Sequence, residues 1–352
     1  MHLRHSFFAA AAFAAAAFAA ILLPAAAQSK SATFSNSVDA YFEVPYNDSV
    51  GLVAGSLLIL SSRWHWLGEI AASFSWHFGL AGLAGAVLLA LVGRRRLGLA
   101  AAALALVHAG PELLLWLPGA DAREPELTVA TFNMQWGNRE FGALDEWLDW
   151  ADADVVCLQE VAVESREHLE QLRAEYPYVS HSPVADRWNV GTWGTLVLSR
   201  TPFLSTRLLE APETIERPSM EVSVDLGGEA LTLRTAHPPR PGRGERTLRR
   251  NLVLRQLAGE DWGGHGALLG DLNVTSTSPV FREILATSGL RDSRAGRGRQ
   301  PTWTTSKHLA GLEIAIDHVL VTDGLAVTSR RFRSVEGSDH RGVVVGLARL
   351  AK

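Results

Sequence analysis

Five short clusters of acidic, amide and histidine side chains follow one another in the second part of the chain. The clusters are Asn133, Gln159-Glu160, Gly270-Asp271-Leu272-Asn273, Asp317-His318 and Ser338-Asp339-His340. Each lies at the end of an apolar run, so the polar side chains are expected at strand ends. Taken singly, such clusters are commonly polar loops or Asx turns. Their joint order predicts a metal-dependent phosphoesterase.

Oxygen-bearing side chains in these clusters suit a hard divalent cation. Phosphodiester hydrolysis needs a cation that neutralises the phosphate and stabilises the leaving oxygen. Oxygen ligands favour Mg²⁺, with Mn²⁺ as an alternative. We therefore expect Glu160 to bind the metal, Asp339 to be the second carboxylate and Asn133 to supply an amide oxygen.

The remaining polar groups suit proton transfer and phosphate binding. Asp271 is expected to accept a proton from water, and His340 to act as a base or as a charged donor to the phosphate. Asp317 is expected to orient His340, as a carboxylate orients a catalytic imidazole. Neutral donors must also hold the phosphate oxygens, and the expected donors to the substrate are Asn133, Asn273 and His237.

Neighbouring residues of a strand face opposite sides, so Asp317 and His318 cannot both reach the same edge of a sheet. We predict that Asp317 faces the site. Cys157, between Val156 and Leu158, is predicted to be a buried strand residue rather than a nucleophile. As the single cysteine, it also excludes an intramolecular disulfide and a cysteine zinc site.

Strands alternate with helices in this part of the chain and also form hairpins, as at Gly227-Gly228. Helical spacing is predicted over residues 141–150, 164–176 and 246–257, and Ser278-Pro279 is predicted to begin a further helix that ends at Gly289. A single strand is predicted over residues 314–321. This pattern predicts an α/β sandwich of mixed sheets with helices outside.

The first third of the chain is predicted to associate with a membrane. Residues 1–29 are predicted to be a signal peptide or a first transmembrane helix, and residues 30–77 a polar and interfacial segment. Residues 78–118 are predicted to form a transmembrane hairpin that turns at Arg94-Arg95-Arg96. Residues 119–126 then link it to a domain over residues 127–352. The basic turn is expected in the cytoplasm, which places the domain over residues 127–352 outside the cytoplasm. If residues 50–60 also cross the membrane, this domain lies in the cytoplasm.

The same clusters carry a family resemblance. Thr131-Phe132-Asn133, Leu158-Gln159-Glu160, Gly270-Asp271-Leu272-Asn273, Ile316-Asp317-His318 and Gly337-Ser338-Asp339-His340 resemble the endonuclease/exonuclease/phosphatase superfamily over residues 125–350. His237-Pro238-Pro239 behind an apolar hairpin resembles its bacterial membrane-associated branch, which implies the inner membrane and an extracytoplasmic domain.

The resemblance implies a four-layer α/β sandwich of two mixed β-sheets flanked by helices, preceded here by the transmembrane helices. It also implies Mg²⁺ dependence, metal binding by Glu160 and pairing of His340 with Asp317. Asp271 and Asn273 are implied to handle the nucleophile and the phosphate. One departure concerns Gln135, because abasic-site nucleases carry an acidic residue at this position, so no second metal subsite is implied there.

Three functions stay open from the sequence. The first is a membrane-tethered phosphodiesterase acting on nucleic acid, the second a phospholipid or sphingolipid phosphoesterase, and the third a non-catalytic binding module on the same scaffold. The net charge of −4 indicates no nucleic-acid footprint. An arginine-rich segment over residues 239–255 either grips a polyphosphate backbone, contacts anionic lipid headgroups, or is a solvated helix face.

Overall fold

The computed structural model describes residues 47–119, 123–162, 165–182, 192–209, 218–242, 245–304 and 311–350. The chain divides into two compact units, Met1–Pro111 and Glu112–Lys352. The predicted signal segment, the polar residues up to 46, and Arg243 of the arginine-rich segment lie outside the described residues.

The described part of the first unit consists of helices joined by short turns. Its helices are α1 (Asn47–Leu60), α2 (Trp66–Ala72), α3 (Ser75–Leu91) and α4 (Arg95–Leu113), which runs past the division. By length and composition, the helical stretch Arg95–Trp116 is able to cross a membrane, with a mean hydropathy of 1.6. Helices α2 and α3, whose axes are bent by 66° at the short break between them, form a second candidate membrane span if they are counted as one helix. The helix bounds place Arg94 between α3 and α4, and the membrane hairpin stays a prediction.

The second unit contains the strands β1 (Leu127–Asn133), β2 (Val155–Ala162), β3 (Tyr178–His181), β4 (Thr192–Ser199), β5 (Phe203–Leu208), β6 (Met220–Leu226), β7 (Glu229–Thr235), β8 (Gly266–Asp271), β9 (Arg291–Asp292), β10 (Trp303–Thr304), β11 (Glu313–Ile314), β12 (Asp317–Val321), β13 (Leu325–Ser334) and β14 (Arg341–Arg349). Its helices are α5 (Phe141–Ala151), α6 (Arg166–Gln171), α7 (Glu245–Ala258) and α8 (Pro279–Ser288).

Two six-stranded mixed sheets form the centre of this unit. The first has the order β13-β14-β1-β2-β4-β3, and the second the order β5-β6-β7-β8-β12-β9. The pairs β1–β2 and β7–β8 are parallel, and the other pairs are antiparallel. Parallel neighbours direct their carboxyl ends to one edge, so Asn133, Glu160, His237 and Asp271 lie at or near the carboxyl ends of these four strands.

Three apolar cores separate four layers. Alternating valine and leucine side chains of both sheets pack face to face in the central core, among them Val129, Val345, Leu233 and Val319. Helix α5 covers the outer face of the first sheet with Leu144, Trp147 and Leu148, whose spacing is that of one helix face. Helices α7 and α8 cover the outer face of the second sheet. The predicted four-layer α/β sandwich is therefore confirmed.

The single strand predicted over residues 314–321 is wrong, because the structure divides it. β11 pairs with β10, whereas β12 pairs with β8 and β9. The hydroxyl oxygen of Thr302 accepts hydrogen bonds from the backbone N–H groups of Ile316 and Asp317 at 3.1 and 3.0 Å. This side chain holds the chain at the break and fixes where β12 begins.

Candidate active site

Strand register brings the distant clusters to one edge of the sandwich. Asn133 is the register partner of Gln159 in the first sheet, and Asp271 is the partner of Asp317 in the second. His340 immediately precedes β14, which lies beside β1. The sequence clusters therefore meet because the carboxyl ends of β1, β2 and β8 lie at the same edge as the amino ends of β12 and β14.

Asp271 is the centre of the polar network. One carboxylate oxygen, Oδ2, accepts a hydrogen bond from Asn133 Nδ2 at 2.9 Å and lies 3.4 Å from His237 Nε2. The other, Oδ1, accepts from the backbone N–H of Asn273 at 3.0 Å. Burial alone would raise the pKa of Asp271, but the charge of His340 and the contacts with His237 and Asn133 outweigh it and lower the pKa. Asp271 is therefore an ionised carboxylate.

His340 forms a buried pair with Asp317. Its Nδ1 lies 2.9 and 3.2 Å from the two carboxylate oxygens of Asp317. Burial lowers the pKa of His340, but Asp317 and then Asp271 outweigh burial and raise this pKa to about 10. Burial raises the pKa of Asp317, against the effect of His340. The imidazole is thus held in its charged form, with Nε2 3.8 Å from Asp271 Oδ2.

Glu160 lies in β2, two residues before the strand ends, and has a left-handed conformation with φ of +57°. The register between β2 and β4 shifts at this residue, and such bulges redirect a side chain next to functional sites. One carboxylate oxygen accepts from the backbone N–H of Trp136 at 2.8 Å, and the other lies 3.6 Å from His237 Nε2. The carboxylate is a quarter exposed, so it reaches both the network and solvent.

Asp339 lies on the other side of His340. Its Oδ2 accepts from Trp303 Nε1 at 3.1 Å, and its Oδ1 lies 3.9 Å from His340 Nε2. The hydroxyl of Ser338 donates to the backbone carbonyl of Asn133 at 2.8 Å and accepts from the backbone N–H of His340 at 3.0 Å. Ser338 therefore fixes the Ser-Asp-His segment to the end of β1.

The turn at Asn273 is left-handed, with φ of +51°. Gly270 has φ of +140°, and a Cβ there would lie 2.2 Å from the carbonyl oxygen of Ala236, so only glycine fits. Asn273 Nδ2 donates to the carbonyl of Pro238 at 3.0 Å. This bond uses one of its two amide hydrogens and leaves one for a substrate.

Arg250 supports the same turn from α7. Its buried side chain donates through Nη1 to the Asn273 carbonyl at 3.0 Å. Within the arginine-rich segment, Arg250 thus turns inward, and Arg255 pairs with Glu283 at 2.7 and 3.0 Å. Neither of these two arginines extends toward a polyphosphate.

Among the residues that the structure describes, several side chains near His340 offer metal ligands. Asp271, Asp317 and His340 present ligand atoms within 4.8 Å of one another and can hold a metal ion. However, Asp317 and His340 already share a proton in their pair, which a metal at that place would have to displace. Glu160 and Asp339 offer carboxylate oxygens that are partly open to solvent, and this donor chemistry fits a hard divalent ion.

Sequence reasoning missed the supporting role of three groups: Thr302, the backbone N–H of Trp136, and Arg250. Thr302 fixes Asp317, and Trp136 fixes Glu160. Pro301-Thr302 precedes a two-residue strand, so no periodicity marked it. Arg250 is one of several arginines in the segment 239–255, and it is distinguished only by its buried side chain, which the sequence does not reveal.

His318 lies on the opposite face of β12, as strand alternation predicts. Its Nε2 lies 2.7 Å from the carbonyl of Val274, and its ring packs against Phe281 at 4.7 Å between centroids. Burial lowers the pKa of His318 to about 4. Cys157 is fully buried as predicted, and burial raises the pKa of its thiol to about 12.

Comparison with known proteins agrees with this architecture. No curated protein sequence matches the chain significantly. Among solved structures, an endonuclease/exonuclease/phosphatase from Beutenbergia cavernae has 22% identity and a TM-score of 0.54, covering 64% of this chain and 72% of its own. The human Nocturnin catalytic domain with bound sulfate has 17% identity and a TM-score of 0.53, covering 66% and 97%.

A third similar structure is the 3′ phosphatase NExo from Neisseria bound to a product DNA hairpin, with 17% identity, a TM-score of 0.50 and coverage of 62% and 98%. At these identities the structures share the fold with this chain. The model of the Endonuclease/Exonuclease/phosphatase family matches residues 130–340, more than half of the chain. The chain therefore belongs to the endonuclease/exonuclease/phosphatase family.

Proposed function

We propose that the second unit is a metal-dependent hydrolase of phosphodiester bonds. The observation that carries this proposal is the buried pair of His340 and Asp317 facing the ionised Asp271, with two partly exposed carboxylates beside it. A binding module has no need to keep an imidazolium and a carboxylate buried side by side without a bound ligand, because burying charges costs stability. Catalytic sites, in contrast, commonly keep buried charged groups with shifted pKa values because the reaction uses them.

Glu160 and Asp339 would hold a Mg²⁺ or Mn²⁺ ion, with Asn133 supplying an amide oxygen. Such an ion neutralises phosphate charge and stabilises the leaving oxygen. Asn133 Oδ1 already accepts from the backbone N–H of Gln135 at 2.9 Å, and a carbonyl oxygen has a second lone pair for a metal. The side chains present therefore fit the ion.

The chain's own residues would divide the remaining work. His340, held as an imidazolium, donates from Nε2 to a non-bridging phosphate oxygen. Asp271 accepts a hydrogen bond from the attacking water and orients it toward phosphorus. His237, between Glu160 and Asp271, and the free amide hydrogen of Asn273 are donors as charge moves to the leaving group.

Nucleic acid is the first substrate class that we propose. The similarity to a phosphatase bound to a DNA hairpin supports it, although the shared fold does not choose a substrate by itself. A phospholipid or sphingolipid is the second candidate, favoured by the apolar helices of the first unit. We propose that these helices tether the chain to a bacterial inner membrane with the second unit outside the cytoplasm.

Turnover of a chromogenic phosphodiester by the full chain in detergent tests this function. Hydrolysis is expected with Mg²⁺, and is expected to stop with EDTA and in His340→Ala. DNA, RNA and phospholipid substrates then follow, each at low and high salt, because nucleic-acid binding weakens steeply with salt. A folded wild-type chain that turns over none of these substrates contradicts the proposal and supports the binding module.

A further inference from the structure

Glu112 is a carboxylate in an otherwise uncharged stretch of the chain. It is the single Asp, Glu, Lys or Arg residue between Arg96 and Asp121, and it begins the second unit in the last turn of α4. Its side chain is buried, and a buried carboxylate is stable only when charged or hydrogen-bonding groups surround it. The partners of Glu112 therefore indicate what this residue does.

The two carboxylate oxygens of Glu112 bond to two different loops. Oε1 accepts a hydrogen bond from the hydroxyl of Ser276, in the turn after β8 over residues 272–278. Oε2 accepts from Arg299 Nε at 3.1 Å, in the loop between β9 and β10 over residues 293–302. One carboxylate thus joins two loops that are distant from it and from each other in the sequence.

Both loops support the candidate active site. The turn after β8 contains Asn273. The loop between β9 and β10 ends at Thr302, whose hydroxyl oxygen accepts from the backbone N–H of Asp317 at 3.0 Å. The carbonyl of Thr302 accepts from the backbone N–H of Arg341 at 2.7 Å, and Arg341 directly follows His340. Thr302 therefore bonds to both strands next to the buried pair of His340 and Asp317.

Arginine side chains connect Glu112 to the rest of the loop between β9 and β10. Arg294 is fully buried, lies 3.9 Å from Glu112 Oε1 and donates to the carbonyl of Arg299 at 3.1 Å. Arg299 also donates from Nη2 to the carbonyl of Glu313 in β11 at 3.2 Å. Because Arg299 bonds Glu112 on one side and the β11 backbone on the other, loss of the carboxylate is expected to loosen the whole loop.

We propose that Glu112 is a positioning residue for the candidate active site. Its carboxylate holds the turn that carries Asn273 and the loop that carries Thr302 in one arrangement. This role rests on the proposed function, since it assigns Glu112 to the same reaction. Glu112 acts through Asn273 and through the contact of Thr302 with Asp317, and it bonds to neither the substrate nor the metal.

A second glutamate between two arginines provides a matched control. Glu221 on β6 accepts from Arg234 Nε at 2.7 Å and from Arg207 Nη2 at 3.0 Å. These arginines also contact Glu260 and the carbonyl of Asp261, in the segment before β8. Glu221→Gln is expected to lower the urea midpoint of unfolding, because it breaks an ion pair, without affecting the candidate site.

Hydrogen exchange tests the bridge between the loops independently of activity. In the full chain in detergent, Glu112→Gln is expected to speed exchange in the peptide over residues 272–278 and in the peptide that contains Asp317. Ser276→Ala is expected to affect the first peptide alone, and Ser276→Thr, which keeps the hydroxyl, neither. Ser276→Ala leaves every charge in place, so it tests the bridge even if Glu112→Gln does not fold. Glu221→Gln is expected to leave both peptides as in wild type.

Hydrolysis of a chromogenic phosphodiester then tests the positioning role. Glu112→Gln is expected to lower kcat by up to about 10²-fold with KM little changed, since small displacements of catalytic groups cost rate. A smaller fall is expected in Ser276→Ala, and wild-type kcat in folded Glu221→Gln. Exchange and kinetics in Glu112→Gln that match those of Glu221→Gln would overturn the role and leave a structural ion pair. If wild type hydrolyses no phosphodiester, the proposed function fails, and the exchange comparison decides whether Glu112 holds the two loops.

Discussion

The two faces of strand β12 bury adjacent ionisable residues in opposite ways. On the site face, Asp317 lies against the charged His340 and the hydroxyl of Thr302. On the other face, His318 lies against the Phe281 ring and the Val274 carbonyl, and burial keeps it neutral near pH 7. Both residues are fully buried, so burial alone does not mark a functional residue.

The two faces of β12 differ in their access to solvent. The site face continues through His340 to the partly exposed carboxylates of Asp339 and, beyond His237, Glu160. The other face is closed by the apolar core under α8. A buried charge next to an open edge can meet a substrate, whereas a buried neutral imidazole in a closed core serves packing.

Substitution of the histidine that lies against the site face of β12 is expected to have the largest effect, a loss of turnover. His340→Ala is expected to lower kcat by about 10²- to 10³-fold, the range for loss of one preorganised donor to developing charge, because it removes the charged donor at Nε2. His318→Gln is the matched control and is expected to keep its kcat below its unfolding temperature. Equal losses in the two folded variants would contradict the distinction between the faces.

Asp317→Asn is expected to lower kcat roughly 10²-fold, since the amide no longer stabilises the imidazolium. The pH profile carries more information. A charged His340 with a pKa of about 10 sustains activity into the alkaline range, and without Asp317 its pKa moves toward 6.5. We expect the alkaline limb of kcat/KM to move to lower pH, and an unmoved limb would show that His340 acts independently of Asp317.

His318 and His340 are expected to affect the free energy of unfolding in different pH ranges. His318 has a lowered pKa, so the unfolded chain binds more protons and stability falls as pH drops from 6.5 toward 4. From pH 7 to 5 this loss is about 2 kcal/mol in the free energy of unfolding. His340 has a raised pKa, so the stability that it contributes is lost as pH rises through about 10.

Urea unfolding of the metal-free chain at pH 5, 7 and 9 measures both effects. His318→Gln is expected to remove much of the acid-side loss and leave the alkaline side unchanged. His340→Ala is expected to remove much of the alkaline-side loss, and it also changes the acid side because His340 lowers the pKa of Asp271. If His318→Gln changed the alkaline side as much as the acid side, the two faces would not titrate independently.

The smallest expected effect concerns the support behind the site. Arg250→Lys keeps the charge but loses the geometry of the bond to the Asn273 carbonyl, so kcat is expected to fall severalfold with KM little changed. Arg255→Lys, in the same helix and paired with Glu283, is the control and is expected to behave as wild type. Equal kinetics in the two variants would limit Arg250 to a structural role.

Local pattern predicted a sandwich of mixed sheets with helices outside and placed the candidate residues at strand ends, whereas the four-layer architecture was implied by the family resemblance. Alternation along β12 predicted that Asp317 and His318 face opposite sides, and apolar runs that end in polar residues predicted strand ends that meet at one edge. The helix that begins at Ser278-Pro279 and ends at Gly289 matches α8, since its capping residues are local signals.

Contacts between distant parts of the chain were not predictable in this way. The break between β11 and β12 depends on Thr302, which is local neither to Ile316 nor to Asp317. The left-handed backbone of Glu160 was not predictable, because this conformation is usually marked by a glycine. Its carboxylate is fixed by the backbone N–H of Trp136, 24 residues earlier in the chain. Single-sequence patterns report periodicity and caps, but not which hydroxyl or amide a fold brings to a site.

Turnover of a chromogenic phosphodiester as a function of Mg²⁺ concentration tests the central claim most directly. Wild type, Glu160→Gln and the exposed control Glu146→Gln on α5 are compared after removal of bound metal with EDTA. We predict saturable activation by Mg²⁺ in wild type and Glu146→Gln, and either no turnover or a higher Mg²⁺ requirement in Glu160→Gln. Turnover that resists EDTA, or the same Mg²⁺ dependence in all three chains, would contradict the assignment of Glu160 as a metal ligand.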